Sequence, residues 1–390
     1  MALKLTIFAA AFACIATAVA AQIDRGASES AGPPLASTAS FEATRKGYTE
    51  LLAETDQRID ALQSRVNDRP DDWLIRLHLG SVILERAGLT NDPDDFARVQ
   101  ALLDESFAIA RTGSGPLLLA ARFNFAIHRL QIAEHYLDLM DRRAMQKSEE
   151  QAVARVLRAQ IAVQRGEYAS AFEGLSEVAA ALPAAATTEL ALYHAKTGNP
   201  AEAEALLEAA LASTSADDPR RRAWLRLQLG LVAMNRGDHL QALERLRAAD
   251  DELPGWWLVQ EHIAEAYSRL DHHREAIAIY DELVRTGGLP QHMDALARAY
   301  QHAGEPELAE PLIARAAAAW EQQLASFPES AMGHGLEHHL QFGTPERALE
   351  LALANFAVRP GGDARVALAR AYLGAGRPIE ALEHARAVLA

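Results

Sequence analysis

Apolar residues recur along most of this chain at helical spacing, and the pattern is clearest between Trp256 and Leu283. Ile263, Ala264 and Tyr267 fall on one helical face, the chain breaks at Leu270 to His272, and Ala276, Tyr280 and Leu283 then fall on one face of a second helix. Each stripe is narrow and marked by alanine. Ala at the contact lets two backbones approach closely, and Tyr beside it fills the remaining space. Such a pair cannot close a core alone, so it requires neighbours of the same kind.

Upstream, residues 22–40 are rich in Ser, Ala, Gly and Pro and lack periodicity, which predicts a flexible spacer. Tyr48, Leu51, Leu52, Ile59, Leu62 and Val66 predict a long helix from Phe41 to about Val66, ended by Arg69-Pro70. A helix over Trp73 to Ala87 follows, with Gly88 beyond its end. Asn91-Asp92-Pro93 then reads as a cap with proline at the first helical position, opening a partner helix over Phe96 to Ala110. A break at Gly113 to Gly115 precedes a further pair, Leu117 to Ile127 and Leu130 to Met140, with Ala133 near its contact. These early pairs look like degraded copies of later ones.

From Gln151 the repetition is plain. Ala171, Ala203, Ala242, Ala276, Ala309, Ala348 and Ala381 are spaced by 32, 39, 34, 33, 39 and 33 residues. Five residues before each stands a turn residue: Gly166, Gly198, Gly237, Asp271, Gly304, Gly343 and Gly376. A tight helix–helix turn needs positive φ there, which Gly adopts freely and Asp tolerates. Twelve residues before each alanine stand Ala159, Ala191, Gly230, Ala264, Ala297, Leu336 and Ala369, and Tyr267, Tyr300 and Tyr372 recur three residues further on. Helix–turn–helix units of about 34 residues with these markers resemble the tetratricopeptide repeat family. The resemblance is close over residues 151–390 and weak over Trp73 to Asp141. It implies an all-α, right-handed superhelical solenoid whose concave wall is lined by the first helix of each pair. Two long gaps imply insertions, one in the loop around Ser213 to Asp218 and one lengthening a helix through Ala316 to Leu324.

The first residues change the expected address. Lys4 precedes an apolar run from Leu5 to about Ala18, closed by small residues at Ala18 to Ala21, which is the form of a secretory signal peptide cleaved after Ala20 or Ala21. The run is short for a span of roughly 20 apolar residues. The only cysteine, Cys14, lies inside it, and bulky Phe12 does not suit a lipidation signal. The chain thus divides into a signal peptide (1–21), a spacer (22–40), a divergent helical region (41–150) and the repeat array (151–390), in a periplasmic or secreted protein. A net charge of -15 with no Lys/Arg run argues against nucleic-acid or anionic-lipid partners.

Opposite the Ala stripes, the inner wall reads apolar first and charged later. Trp224, Leu227, Leu231 and Met234 form its apolar part, and Glu261, Glu265, Arg269, Asp294, Arg298 and His302 its charged part. Either a protein or peptide partner lies along these residues, apolar side on Trp224 and Leu231 and polar groups on Arg269 and Arg298, or the apolar residues pack on an adjacent helix and the charges are solvated. Successive Lys and Asn on first helices, as in carboxylate-clamp repeats, are missing. His334 and His338, one turn apart, with His302 in the previous repeat, make the competing reading of a metal-binding or enzymatic helical protein. They do not form the HExxH pattern, because Glu337 directly precedes His338. No nucleophile motif, phosphate loop or paired-carboxylate arrangement stands out. The expectation is therefore a non-enzymatic interaction scaffold without a cofactor, with the apolar stripe beside Leu389 open to self-association.

Overall fold

The computed structural model describes residues 47–111, 114–143 and 148–389. The signal peptide, the spacer and the expected helical start at Phe41 lie outside the described residues. Within them the chain forms helices and no strand. In order they are α1 (Tyr48–Asp68), α2 (Trp73–Thr90), α3 (Pro93–Ile109), α4 (Leu117–Ala126), α5 (Leu130–Asp141), α6 (Ser148–Arg165) and α7 (Tyr168–Ala181). Then come α8 (Pro183–Lys196), α9 (Pro200–Ser213), α10 (Pro219–Arg236), α11 (His239–Glu252), α12 (Trp257–Arg269) and α13 (His273–Thr286). The last are α14 (Pro290–Ala303), α15 (Pro306–Ser326), α16 (Pro328–Gln341), α17 (Pro345–Val358), α18 (Gly362–Gly374) and α19 (Pro378–Leu389).

Successive helices pack as pairs, and each pair packs on the next. This is a tetratricopeptide-like repeat fold. Six of the seven marker alanines are wholly buried, and Ala381 in the last pair is nearly so. Six of the seven turn residues take φ between +61° and +83°. Gly343 is the exception: it does not need positive φ, but a Cβ there would lie 2.2 Å from His339 Nδ1. Gly230 shows the other reason for a small residue, since a Cβ would meet Leu246 at 2.8 Å where α10 crosses α11. Proline opens α3, α8, α9, α10, α14, α15, α16 and α17, where its fixed φ suits the helix and its missing N–H is not needed. The two insertions fall as expected, in the loop after α9 and in the 21-residue α15. One boundary differs. Gly88 stays inside α2, and Asn91 with φ +56° ends that helix instead.

The stack curls far enough for early and late helices to touch. The carbonyl of Leu89 accepts from Tyr48 Oη and from Trp257 Nε1, and Tyr48 N donates to Pro254 O at 3.0 Å. Arg220 pairs with Glu85 at 2.9 Å, and Phe96 meets Phe327 edge-on at 6.3 Å. Further along, Gly361 N donates to Gln164 O at 2.9 Å. A Cβ at Gly361 would lie 2.8 Å from that oxygen, so the backbones of the α6–α7 and α17–α18 turns meet there directly. A seam of polar and aromatic contacts thus joins the first turn of the stack to the later one.

Candidate functional site

The seam decides what becomes of the apolar inner wall. Trp224, Leu227, Leu231 and Met234 on α10 are all at least nine-tenths buried, in one core cluster with Leu246 of α11, Trp256 and Leu89 of α2. They therefore offer no open face to a peptide. The reason is local and long-range at once: α10 packs between its neighbours, while the end of α2, pinned by Tyr48 and Trp257, enters the same cluster. Of the two alternatives for these four residues, packing on the chain's own helices is the one realised.

The charged part of the wall is organised differently. On α12, Glu265 accepts from Arg269 at 3.2 Å and faces His262 Nδ1 at 3.3 Å. Burial works against the Glu265 carboxylate, but these cations outweigh it and hold it at about 2. His262 is correspondingly raised: burial lowers it, and the carboxylates of Glu265 and Glu261 more than offset that. Glu261 lies 3.7 Å from His292 Nε2. Burial raises Glu261 too, yet the facing imidazoles of His292, His262 and His334 leave it below the ordinary range. On α14, Asp294 accepts from Trp320 Nε1 at 2.8 Å and binds His338 Nδ1 at 2.7 Å. Arg298 and His302 of the same helix are exposed.

These contacts separate the three histidines that suggested a metal. His338 turns to Asp294, His334 stacks on Trp320 with ring centres 5.6 Å apart, and His302 lies against His273 at 6.0 Å. Among the described residues no group of three or more His, Cys, Asp or Glu is arranged to hold a metal ion. The competing metal reading loses its ligand set because each imidazole has found a structural neighbour.

Open space lies along the seam. A cleft of about 1,040 Å³ separates α1 and the start of α3 from α11 to α15. Asp92, Asp94, Asp250 and Glu282 face it, with no Lys or Arg, and Trp257 and His292 form part of its lining. Trp257 and Phe327 also line a smaller cavity of about 70 Å³, which contains His128 and His334. His128 in turn borders a third cavity of about 180 Å³ below the α17–α18 turn. Burial, with Arg359 nearby, holds His128 well below its usual range, so it stands there as a neutral ring. Of the expected wall residues, none of the ten lines the large cleft, although its residue His292 touches the charged wall through Glu261. Asp92 reads in the sequence only as a helix cap, and Asp94, Arg359 and Asn355 carry no pattern that singles them out. Only the turn Arg359-Pro360-Gly361-Gly362 is unusual, and it reads as a loop.

No family model and no curated protein matches the chain. Solved structures do resemble it. Human IFIT1, in a dimer with m7Gppp-AAAA, is 16% identical with a TM-score of 0.45, over 99% of this chain and 96% of that one. Cut9, in the APC/C hetero-tetramer Cut9–Hcn1, is 18% identical with a TM-score of 0.46, over 82% and 59%. TTC0263, a thermophilic tetratricopeptide repeat protein of Thermus thermophilus, is 21% identical with a TM-score of 0.35, over 45% and 90%.

Proposed function

We propose that this tetratricopeptide-like repeat protein is a non-enzymatic interaction scaffold of the cell envelope, and that it holds a Lys/Arg-bearing segment of a protein partner in the seam cleft. One observation carries the reading: a cleft of about 1,040 Å³ faced by four carboxylates and by no Lys or Arg. Asp92 is shared with Arg86 and Glu282 with Arg285, so a cation entering the cleft gains chiefly from Asp94 and Asp250, while an acidic segment is repelled. Trp257 and Tyr48 add aromatic faces for a guanidinium or an aliphatic stem. The envelope address rests on the Lys4, apolar-run and small-residue pattern of residues 1–21. Among the described residues no helix is long and apolar enough to cross a membrane.

The test is fluorescence anisotropy with a short labelled Lys/Arg-rich peptide and its Glu-rich counterpart. The basic peptide should bind, weaken with salt, and lose at least tenfold in affinity in the double variant Asp94→Lys, Glu282→Lys, both at the cleft rim. Equal binding of the acidic peptide, or no effect of the double variant, refutes the cleft. Crosslinking in the native envelope followed by mass spectrometry would then identify the partner, and N-terminal sequencing of the mature chain tests cleavage after Ala20 or Ala21.

A second reading, self-association through α19, is favoured by Ile379 and Leu382, whose apolar side chains are 72% and 49% exposed. Light scattering of the mature chain with and without residues 378–390 tests it, and one monomeric mass for both would remove it.

A further inference from the structure

The 180 Å³ cavity below the α17–α18 turn contains a guanidinium with no carboxylate at ion-pair distance among the described residues. Arg359, at the end of α17, points its guanidinium there, and its one protein hydrogen bond among the described residues runs from Nε to Asn355 Oδ1 at 2.6 Å. Gly333 of α16 makes room for it, since a Cβ there would lie 2.7 Å from Nη2. The cavity's other charges are already matched. Lys196 pairs with Asp363, and Glu337 with Arg370 at 2.8 Å. Asp363 acts on Arg359 only from beyond ion-pair distance, so the guanidinium has no close counter-ion in a partly buried site, where such a charge is costly.

Two buried amide nitrogens of the cavity are unmatched donors. Asn355 is 4% exposed, and its amide nitrogen has no protein partner among the described residues. Gln164 Nε2 is likewise buried without one. Gly361 caps α18 with no side-chain bond, so the helix N-terminus opens into the space. The first N–H groups there are taken, Gly361 by Gln164 O and Gly362 by Tyr168 Oη, which leaves those of Asp363 and Ala364 free. Helix N-termini favour anions for just this reason. Val163, Leu336, Val366, Ala367 and Val388 supply the apolar part of the lining.

We propose that this cavity binds the carboxylate of a small organic acid with an apolar body, the carboxylate on Arg359 and Asn355 and the body on the valine-lined wall. One guanidinium without a close counter-ion calls for at most one further negative charge, which favours a carboxylate over doubly charged phosphate. A cavity of this volume holds roughly a dozen water-sized atoms. The site is separate from the acidic seam cleft and does not depend on what occupies that cleft.

Hexanoate is the probe, with hexylamine and inorganic phosphate as controls, read by calorimetry and thermal shift on the full mature chain. Hexanoate should bind one to one and raise the melting temperature in proportion to its occupancy, and neither control should do so. Asn355→Asp supplies Arg359 with a carboxylate of its own. It should raise the melting temperature of the ligand-free protein and cut hexanoate affinity at least tenfold. Val366→Phe fills the apolar end and should cut hexanoate affinity by a similar factor without touching the charges, so the question stays answerable if Asn355→Asp folds poorly. Absence of hexanoate binding, an equal response to hexylamine or phosphate, or unchanged hexanoate affinity in Val366→Phe overturns the proposal.

Discussion

The inner wall of this solenoid has two stretches that began alike, as first-helix residues opposite an Ala contact, and ended differently. On α10 the wall is apolar and the chain's own α2 closes over it, with Leu89 entering the cluster of Trp224 and Leu227. From α12 to α16 the wall is charged, and it keeps its polar groups in a lattice of pairs around Glu265, Asp294 and Glu261, with open cavities beside it. Apolar area gains by leaving water and draws the nearest cover. Buried charges gain only when paired, so they hold space open for water or a guest. A solenoid that curls onto itself sorts its inner surface by this rule, and an apolar inner stripe is then core rather than groove.

The largest expected effect breaks the apolar half. Leu227→Ala removes a wholly buried side chain from the α10 cluster and should cost about 2–5 kcal/mol. Because repeat arrays melt in segments, the loss should appear first in hydrogen exchange of α2, α10 and α11. Loss of peptide capture with full stability would instead make α10 a binding face and undo the comparison. Next comes the seam itself. Gly361→Val drives a side chain into Gln164 O, and the strain of overpacking is about 1–3 kcal/mol. Opening of the seam should raise the radius of gyration in solution scattering while the helix content by circular dichroism stays constant.

The charged half is sharpened by pH. Glu265, depressed to about 2, lends stability that is present above the ordinary carboxylate range and lost as pH falls through about 2. His262 is raised, so its contribution is complete below the usual imidazole range and lost as pH rises through its folded value. His334 runs the other way. Burial lowers it, so its neutral state favours the fold above about pH 6.5 and stability declines as pH falls below that. His334→Gln should flatten the decline below pH 6.5, and His262→Gln the decline above it, as read from melting temperature across pH 4–9. Identical profiles for both variants would mean that neither ring titrates in the fold.

The repeat was legible from residues because it is local. Each Ala, turn Gly and opening Pro acts within one pair, so Ala276 and Gly237 could be placed without knowing the next turn of the stack. The seam was not legible. It depends on small crossing angles summed over about ten helices, and no pattern near Leu89 announces Trp257, which lies 168 positions away. The same holds for Arg359, whose neighbours Gln164 and Lys196 come from the opposite arc. The expected inner-wall residues follow a helical spacing that is local, whereas what covers them is a property of the whole curl.

The smallest expected effect asks whether the seam's ion pairs matter. Arg129 meets Glu329 at 3.3 Å across the arcs, with about a quarter of each side chain exposed, and its guanidinium also lies 5.6 Å over the Phe327 ring. Partly exposed pairs contribute about 0.2–1 kcal/mol and weaken with salt. A double-mutant cycle of Arg129→Ala and Glu329→Ala should therefore give a coupling in that range at low salt, falling toward zero near 1 M salt. The cation–ring contact is less salt-sensitive, so Arg129→Ala alone should retain a residual cost that Glu329→Ala alone does not. If the coupling instead exceeds the cost of Leu227→Ala, the arcs are joined by charge rather than by buried apolar surface, and the sorting rule drawn from the two halves of the wall fails.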